Sequence, residues 1–211
     1  MYRHECDSSL SEKSRQAMTN DSETKDSLLD PAAAAAAFDG FVATRAPWLT
    51  VRPEAPEDAP FLRALFLADH PLAALLPPVM LEQQADIRMA AFRDGHPGAM
   101  RRIFESGAAP IGRVIIDWSA PDGSLCVDLA VAPAHRRRGV AGAALEAWKA
   151  AADARGLRCA LTVLADNPAR ALYARHGFVE APGQEGEAGV RMIRAAPAER
   201  EQGLPSIDSR C

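Results

Sequence analysis

The chain has 211 residues, of which 48% are hydrophobic and 25% charged, and it carries a net charge of −4. That is enough for one core of ordinary size, and the mildly acidic balance argues against nucleic acid as the main partner. No run reaches the ~18 apolar residues of a membrane span, and acidic and hydroxyl residues stand near the N-terminus where a cleavable signal needs an apolar stretch, so a cytoplasmic protein is expected.

Residues 1–31 are polar, charged and serine-rich, and they cannot bury enough surface to offset the entropy of ordering. Disorder is expected there. The Ala32–Ala37 run is helix-prone, but six alanines are too few to hold a helix alone. The fold is therefore expected to begin at residue 46. Trp48–Arg52 reads as a short strand and Asp58–Asp69 as an amphipathic helix. After the Pro71–Pro78 connection, Met80–Arg93 reads as a second helix. Met100–Ser106 and Ile111–Trp118 read as a hairpin turning at Gly107.

Next comes Leu125–Gly142, LCVDLAVAPAHRRRGVAG, the most informative stretch of the chain. Val127, Leu129 and Val131 alternate with Cys126, Asp128 and Ala130 as extended chain requires, and Pro133 ends the strand. From Val140 the apolar positions Ala144, Ala147, Ala151 and Ala154 recur at helical spacing. The first N–H groups of that helix lack intrahelical partners and its dipole is positive there, so the segment suits an anion. Gly139, Ala141 and Gly142 leave the backbone approachable, and Arg136, Arg137 and Arg138 add charge-assisted contacts of the kind phosphate favours. The glycine, lysine and hydroxyl spacing of a nucleoside-triphosphate loop is missing, as are the spaced glycines of a dinucleotide fingerprint. Further strands are expected at Cys159–Leu164 and near Phe178 and Met192, with a short helix from Pro168.

Arg136-x-x-Gly139-x-Ala141 after an apolar strand resembles motif A of the GNAT superfamily of acyl-CoA N-acyltransferases. Asn167-Pro168-Ala169-Arg170-Ala171-Leu172-Tyr173-Ala174-Arg175-His176-Gly177-Phe178 is similar to the family's motif B. The resemblance covers roughly Leu49–Arg194, and the element order agrees with it. It implies an α/β GNAT fold: a mixed, mostly antiparallel sheet with a splayed parallel strand pair, flanked by helices. It also implies acetyl-CoA as co-substrate, with the backbone of Leu129, Ala130 and Val131 pairing with the pantetheine arm. The amides of Arg137, Arg138, Gly139, Val140, Ala141 and Gly142 would then wrap the pyrophosphate beside Arg136.

Attack of an amine on a thioester needs a base, donors to the developing oxyanion and an acid for the thiolate. Tyr173 matches the family's acid, and its unperturbed pKa near ~10 keeps it protonated. Many relatives carry a glutamate eleven residues before the first motif A residue, where this chain has Leu125. Asp128 is the only carboxylate in the strand, and simple alternation puts it on the opposite face from Leu125 unless a bulge intervenes. A structural carboxylate, paired to an arginine or capping a loop, is the stronger reading of it. A water chain, His135, or an amine arriving neutral are the alternatives. Asn167 stands six residues before Tyr173 where many relatives have seven, which bears on its contact to the cofactor. The resemblance places the acceptor groove at roughly Phe66–Gln84, with Asp69 and Glu82 nearby, and at Pro182–Val190.

Cys6, Cys126, Cys159 and Cys211 lack paired or ligand-like spacing and read as free thiols. No His or carboxylate cluster has metal-ligand spacing. The resulting expectation is a domain over residues 46–195, a disordered extension over 1–45 and a flexible tail over 196–211. The activity expected is N-acetyl transfer to an amine-bearing acceptor, with neither nucleic acid nor membrane as partner and a homodimer left open. The alternatives are an acyl-CoA-binding regulatory module without turnover, and an interaction protein that acts through its N-terminal tail.

Overall fold

A computed structural model of the chain describes residues 30–70, 73, 75–121, 123–181 and 189–202. The expected disorder of residues 1–29, most of the Pro182–Val190 stretch and the tail from residue 203 lie outside them.

The first element corrects the expected boundary at residue 46. Helix α1 (Pro31–Arg45) opens on Asp30, whose side chain accepts the Ala32 N–H, with Pro31 in the first turn. Ala34, Phe38 and Val42, four residues apart, are fully buried, so the alanine run is held by the apolar stripe that continues beyond it. Arg102 on the sheet also holds Asp39 at 2.9 Å.

Strand β1 (Thr50–Pro53) leads into α2 (Ala59–Leu67) and α3 (Pro78–Gly95), followed by β2 (Met100–Ser106), β3 (Ala109–Asp117) and β4 (Ser124–Val131). Gly107, at φ +65°, turns the β2–β3 hairpin as expected. A short helical turn, Pro133–His135, precedes α4 (Val140–Asp153). Then come β5 (Cys159–Leu164), α5 (Ala169–Arg175), β6 (Val179–Glu180), β7 (Gly189–Arg194) and α6 (Pro197–Glu201). Helix α6 is a second correction, since it falls in the expected tail. Glu199 accepts from Arg158 Nε at 2.7 Å, and Arg200 reaches Asp153 at 3.1 Å.

The sheet runs β1-β2-β3-β4-β5-β7-β6. Every pairing is antiparallel except β4–β5. One face carries the main core, where Phe38 and Val42 of α1 and Val140, Leu145 and Trp148 of α4 pack over Phe104, Val114 and Ile116. The other face carries a smaller cluster of Phe92, Ala99 and Ile115, with Val127 against it.

Two irregularities position the site. β4 and β5 pair only from Ser124–Cys159 to Cys126–Leu161, after which the strands part. On its other edge β4 is bulged: Cys126 faces Ile116 and Asp128 faces Ile115, leaving Val127 unpaired. That extra residue resets the alternation, so Leu125 and Asp128 share the face of Ile115 while Cys126, Leu129 and Val131 lie on the main-core face.

Candidate active site

Where β4 leaves β5, Leu129, Ala130 and Val131 remain paired to Val114, Arg113 and Gly112 of β3 and to nothing on the β5 side. Their free edge faces the gap. Beyond it the chain reverses through two left-handed residues, Arg137 at φ +62° and Gly139 at φ +89°. Gly139 sits at the N-cap of α4 and no side chain caps that helix. The first-turn N–H groups of Val140, Ala141 and Gly142 therefore converge on an uncapped positive end, and left-handed bends of this kind gather further amides into an anion cradle. Arg137 holding a conformation that disfavours a side chain is strain stored at this cradle.

The three arginines divide their work. Arg136 turns back: its Nε donates to the Val131 carbonyl at 2.9 Å and its Nη2 to Asp69. It clasps the loop to the strand end and to the turn after α2, and Asp69, expected beside an acceptor, is its partner. Arg137 and Arg138 are exposed, and Arg138 lines a 450 Å³ hollow with Arg45, Trp48 and Gly139.

Tyr173, on α5, is buried and sits edge-on to Phe178 at 6.1 Å between ring centroids. Burial pushes its phenol well above the ordinary tyrosine value, and the nearby Asp128 carboxylate adds to the effect. The hydroxyl thus keeps its proton at any working pH, and it lies within electrostatic reach of the β4 bulge. Asn167 is exposed, and its Oδ1 accepts the Ala169 N–H at 2.8 Å, an Asx turn that leads into α5.

Asp128 has the arginine partner that the strand sequence left open. Arg113, 4% exposed, donates to Asp128 Oδ2 from Nε at 3.0 Å and from Nη2 at 2.9 Å. Oδ1 receives no hydrogen bond from a described residue. Arg113 also stacks over Phe92 at 5.1 Å, donates to the Met89 sulfur at 3.1 Å, and lies 3.9 Å from Glu54 Oε2. His135, the alternative base, has a buried Nδ1 without a hydrogen-bond partner among the described residues. His176 stands beside Glu146 and is pushed below the ordinary histidine value by burial, so it is neutral near pH 7. The described residues contain no cluster able to hold a metal ion.

Residues 101–180 match the profile of the acetyltransferase (GNAT) domain. The chain carries a GNAT-like segment. A GCN5-related N-acetyltransferase from Rhodopseudomonas palustris superposes with a TM-score of 0.52 at 25% identity, covering 69% of this chain and 94% of that one. An acetyltransferase from Thermus thermophilus gives 0.54 at 25% identity, covering 69% and 96%. The PaiA N-acetyltransferase of Thermoplasma acidophilum, solved with coenzyme A, gives 0.55 at 13% identity, covering 70% and 98%, and bears on the fold alone. A search of curated proteins finds no match. The GNAT match spans β2 to β6 and so contains the splayed strands, the uncapped helix and Tyr173. Helix α1, Glu54 and Asp69 lie outside the matched segment. None of the described helices is long and apolar enough to cross a membrane.

The sequence reading missed Arg113 and Glu54. A lone arginine inside the apolar run Ile111–Trp118 was the available signal, because a charge in a buried strand needs a partner nearby.

Proposed function

We propose that the protein transfers an acetyl group from acetyl-CoA to a primary amine by direct attack, with Asp128 as base and Tyr173 as proton donor. The observation that carries this reading is the β4 bulge, which brings Asp128 onto the face of Leu125, the position of the family's glutamate. The residues present suit coenzyme A: a free strand edge at Leu129–Val131 for an amide-bearing arm, and an uncapped helix with left-handed bends for a diphosphate. Acetyl-CoA supplies the activated acetyl group.

The chain's own groups do the rest. Asp128 Oδ1, to which no described residue donates, accepts a proton from the incoming ammonium while Arg113 fixes the carboxylate through Oδ2. Tyr173, kept protonated by burial, donates to the sulfur as negative charge develops there. The second nitrogen proton, shed as the tetrahedral intermediate collapses, returns to the Tyr173 phenolate, and solvent removes the proton held by Asp128. Free coenzyme A and an acetamide leave.

Calorimetric titration of the full chain with acetyl-CoA is the first test, with saturable one-to-one binding expected. The companion variant is Tyr173→Phe, expected to bind acetyl-CoA normally and to lose turnover. A Tyr173→Phe protein with unaltered kcat would remove the phenol from the reaction. A wild-type chain that binds acetyl-CoA but acetylates no amine would point to a regulatory acyl-CoA module.

A further inference from the structure

On the Asp128 face of the sheet, a 500 Å³ cavity opens between β1, α2, α3 and β3. Leu62, Met89, Phe92 and Ile115 form its apolar wall, and four arginines and two carboxylates supply its charge. Two of those arginines are neutralised: Arg63 pairs with Asp86 at 2.8 Å, and Arg113 pairs with Asp128. A third, Arg101, donates to the carbonyls of Ala99, Phe92 and His96. Two groups are left over. Glu54 Oε2 is buried with no hydrogen-bond partner among the described residues, its one cation being the already paired Arg113 at 3.9 Å, and Arg93, exposed, makes no ion pair with a described residue. A buried carboxylate oxygen without a donor is costly, and here the adjoining space is large enough to hold one. One position wants a cationic donor and the other wants an anion. An α-amino-acid head carries both.

The placement of Arg113 then selects which amine reacts. Arg113 stands between the two carboxylates, holding Asp128 with Nε and Nη2 and facing Glu54 Oε2 at 3.9 Å with Nη1. An ammonium on Glu54 is one guanidinium away from Asp128 and is not the nucleophile. Resting on the acetyl-transfer reading above, we infer that the acceptor is a diamino acid. Its α-ammonium binds Glu54, its α-carboxylate binds Arg93, and its methylene chain runs past Met89 and Arg113 to bring a terminal amine to Asp128. The bond formed joins that terminal nitrogen to the acetyl carbon and the thioester C–S bond breaks; one ammonium proton passes to Asp128, Tyr173 protonates the departing sulfur, and the second nitrogen proton returns to the Tyr173 phenolate.

The test uses the full chain, acetyl-CoA and L-lysine or L-ornithine. The controls are cadaverine and putrescine, which lack the carboxylate, and L-norleucine, which lacks the second amine. Acetylation is expected at the terminal amine, with kcat/KM for the diamines at least about tenfold lower, as loss of one charge-assisted contact implies. L-Norleucine should compete with L-lysine without being acetylated. Glu54→Gln and Arg93→Gln should each raise KM for L-lysine about tenfold while leaving KM for acetyl-CoA in place. Acetylation at the α-amine, diamines as good as diamino acids, or an unchanged KM in both variants would overturn the inference. A chain that binds acetyl-CoA but ignores L-lysine and L-ornithine sinks this inference alone; failure to bind acetyl-CoA sinks the parent reading.

Discussion

Tyr173 joins two properties that are rarely useful together, burial and a hydroxyl. Because its pKa is raised, the phenol is protonated at every pH below its shifted value, and its ionisation contributes no alkaline decline in kcat up to about pH 10. A decline in kcat near pH 9 that vanishes in Tyr173→Phe would contradict this. Tyr173→Phe itself should lower kcat about a hundredfold, with the affinity for acetyl-CoA, read by calorimetry, retained. Asp128→Asn should cause a loss of similar size by removing the proton acceptor. Arg137 offers a test of the cradle that needs no substrate. At φ +62° a Cβ is disfavoured, so Arg137→Gly should be more stable than Arg137→Ala by about 1 kcal/mol in denaturant unfolding. Equal stabilities would mean that the loop relaxes around the strain.

Among the elements, α1 separates what was legible in the sequence from what was not. Period-two and helical patterns located β2, β3, β4, β5 and α4 to within a residue or two, because each presents a long apolar face to one core. The helix from Pro31 was hidden because its alanine run was weighed alone. Its stability comes from Phe38 and Val42, which follow the run at helical spacing, and from the Asp30–Pro31 start. Phe38 is fully buried against the main core, so Phe38→Ala should cost about 3 kcal/mol in chemical denaturation. A chain beginning at residue 46 should melt well below the full chain. If the melting temperatures agree, α1 is an appendage. The bulge in β4 was also illegible, since one unpaired residue leaves no mark on composition and yet decides which face Asp128 occupies. The cavity beside Glu54 has the same origin: its walls come from four elements far apart in the chain.

For the molecule as a whole, electrostatics sets an acid limit. Hydrogen bonds from Arg52 hold Asp58 below the usual carboxylate value, against the opposing effect of burial. Burial would raise Asp153, but Arg194 and Arg200 outweigh it and hold it low. Both folded pKa values are depressed, so their contribution is complete above the unfolded value of about 4 and is lost as pH falls through the folded value. The melting temperature should be level from pH 7 to about 5 and fall below about 4. Asp58→Asn should be about 2 kcal/mol less stable at neutral pH, with the gap closing in acid. A gap independent of pH would assign the loss to packing.

The parting of β4 and β5 also furnishes a chemical clock. Cys126 lies at the base of the gap and Cys159 at the far end of the short paired stretch, both buried as free thiols, and burial pushes Cys159 up to about 11 and Cys126 higher still. Neither is a nucleophile in the closed state. In a chain with Cys6 and Cys211 replaced by serine, the rate at which an alkylating reagent captures the remaining thiols therefore counts openings of that seam. A nucleotide thioester lodged between the strands would slow the count, making alkylation a readout of occupancy in which no product need be detected.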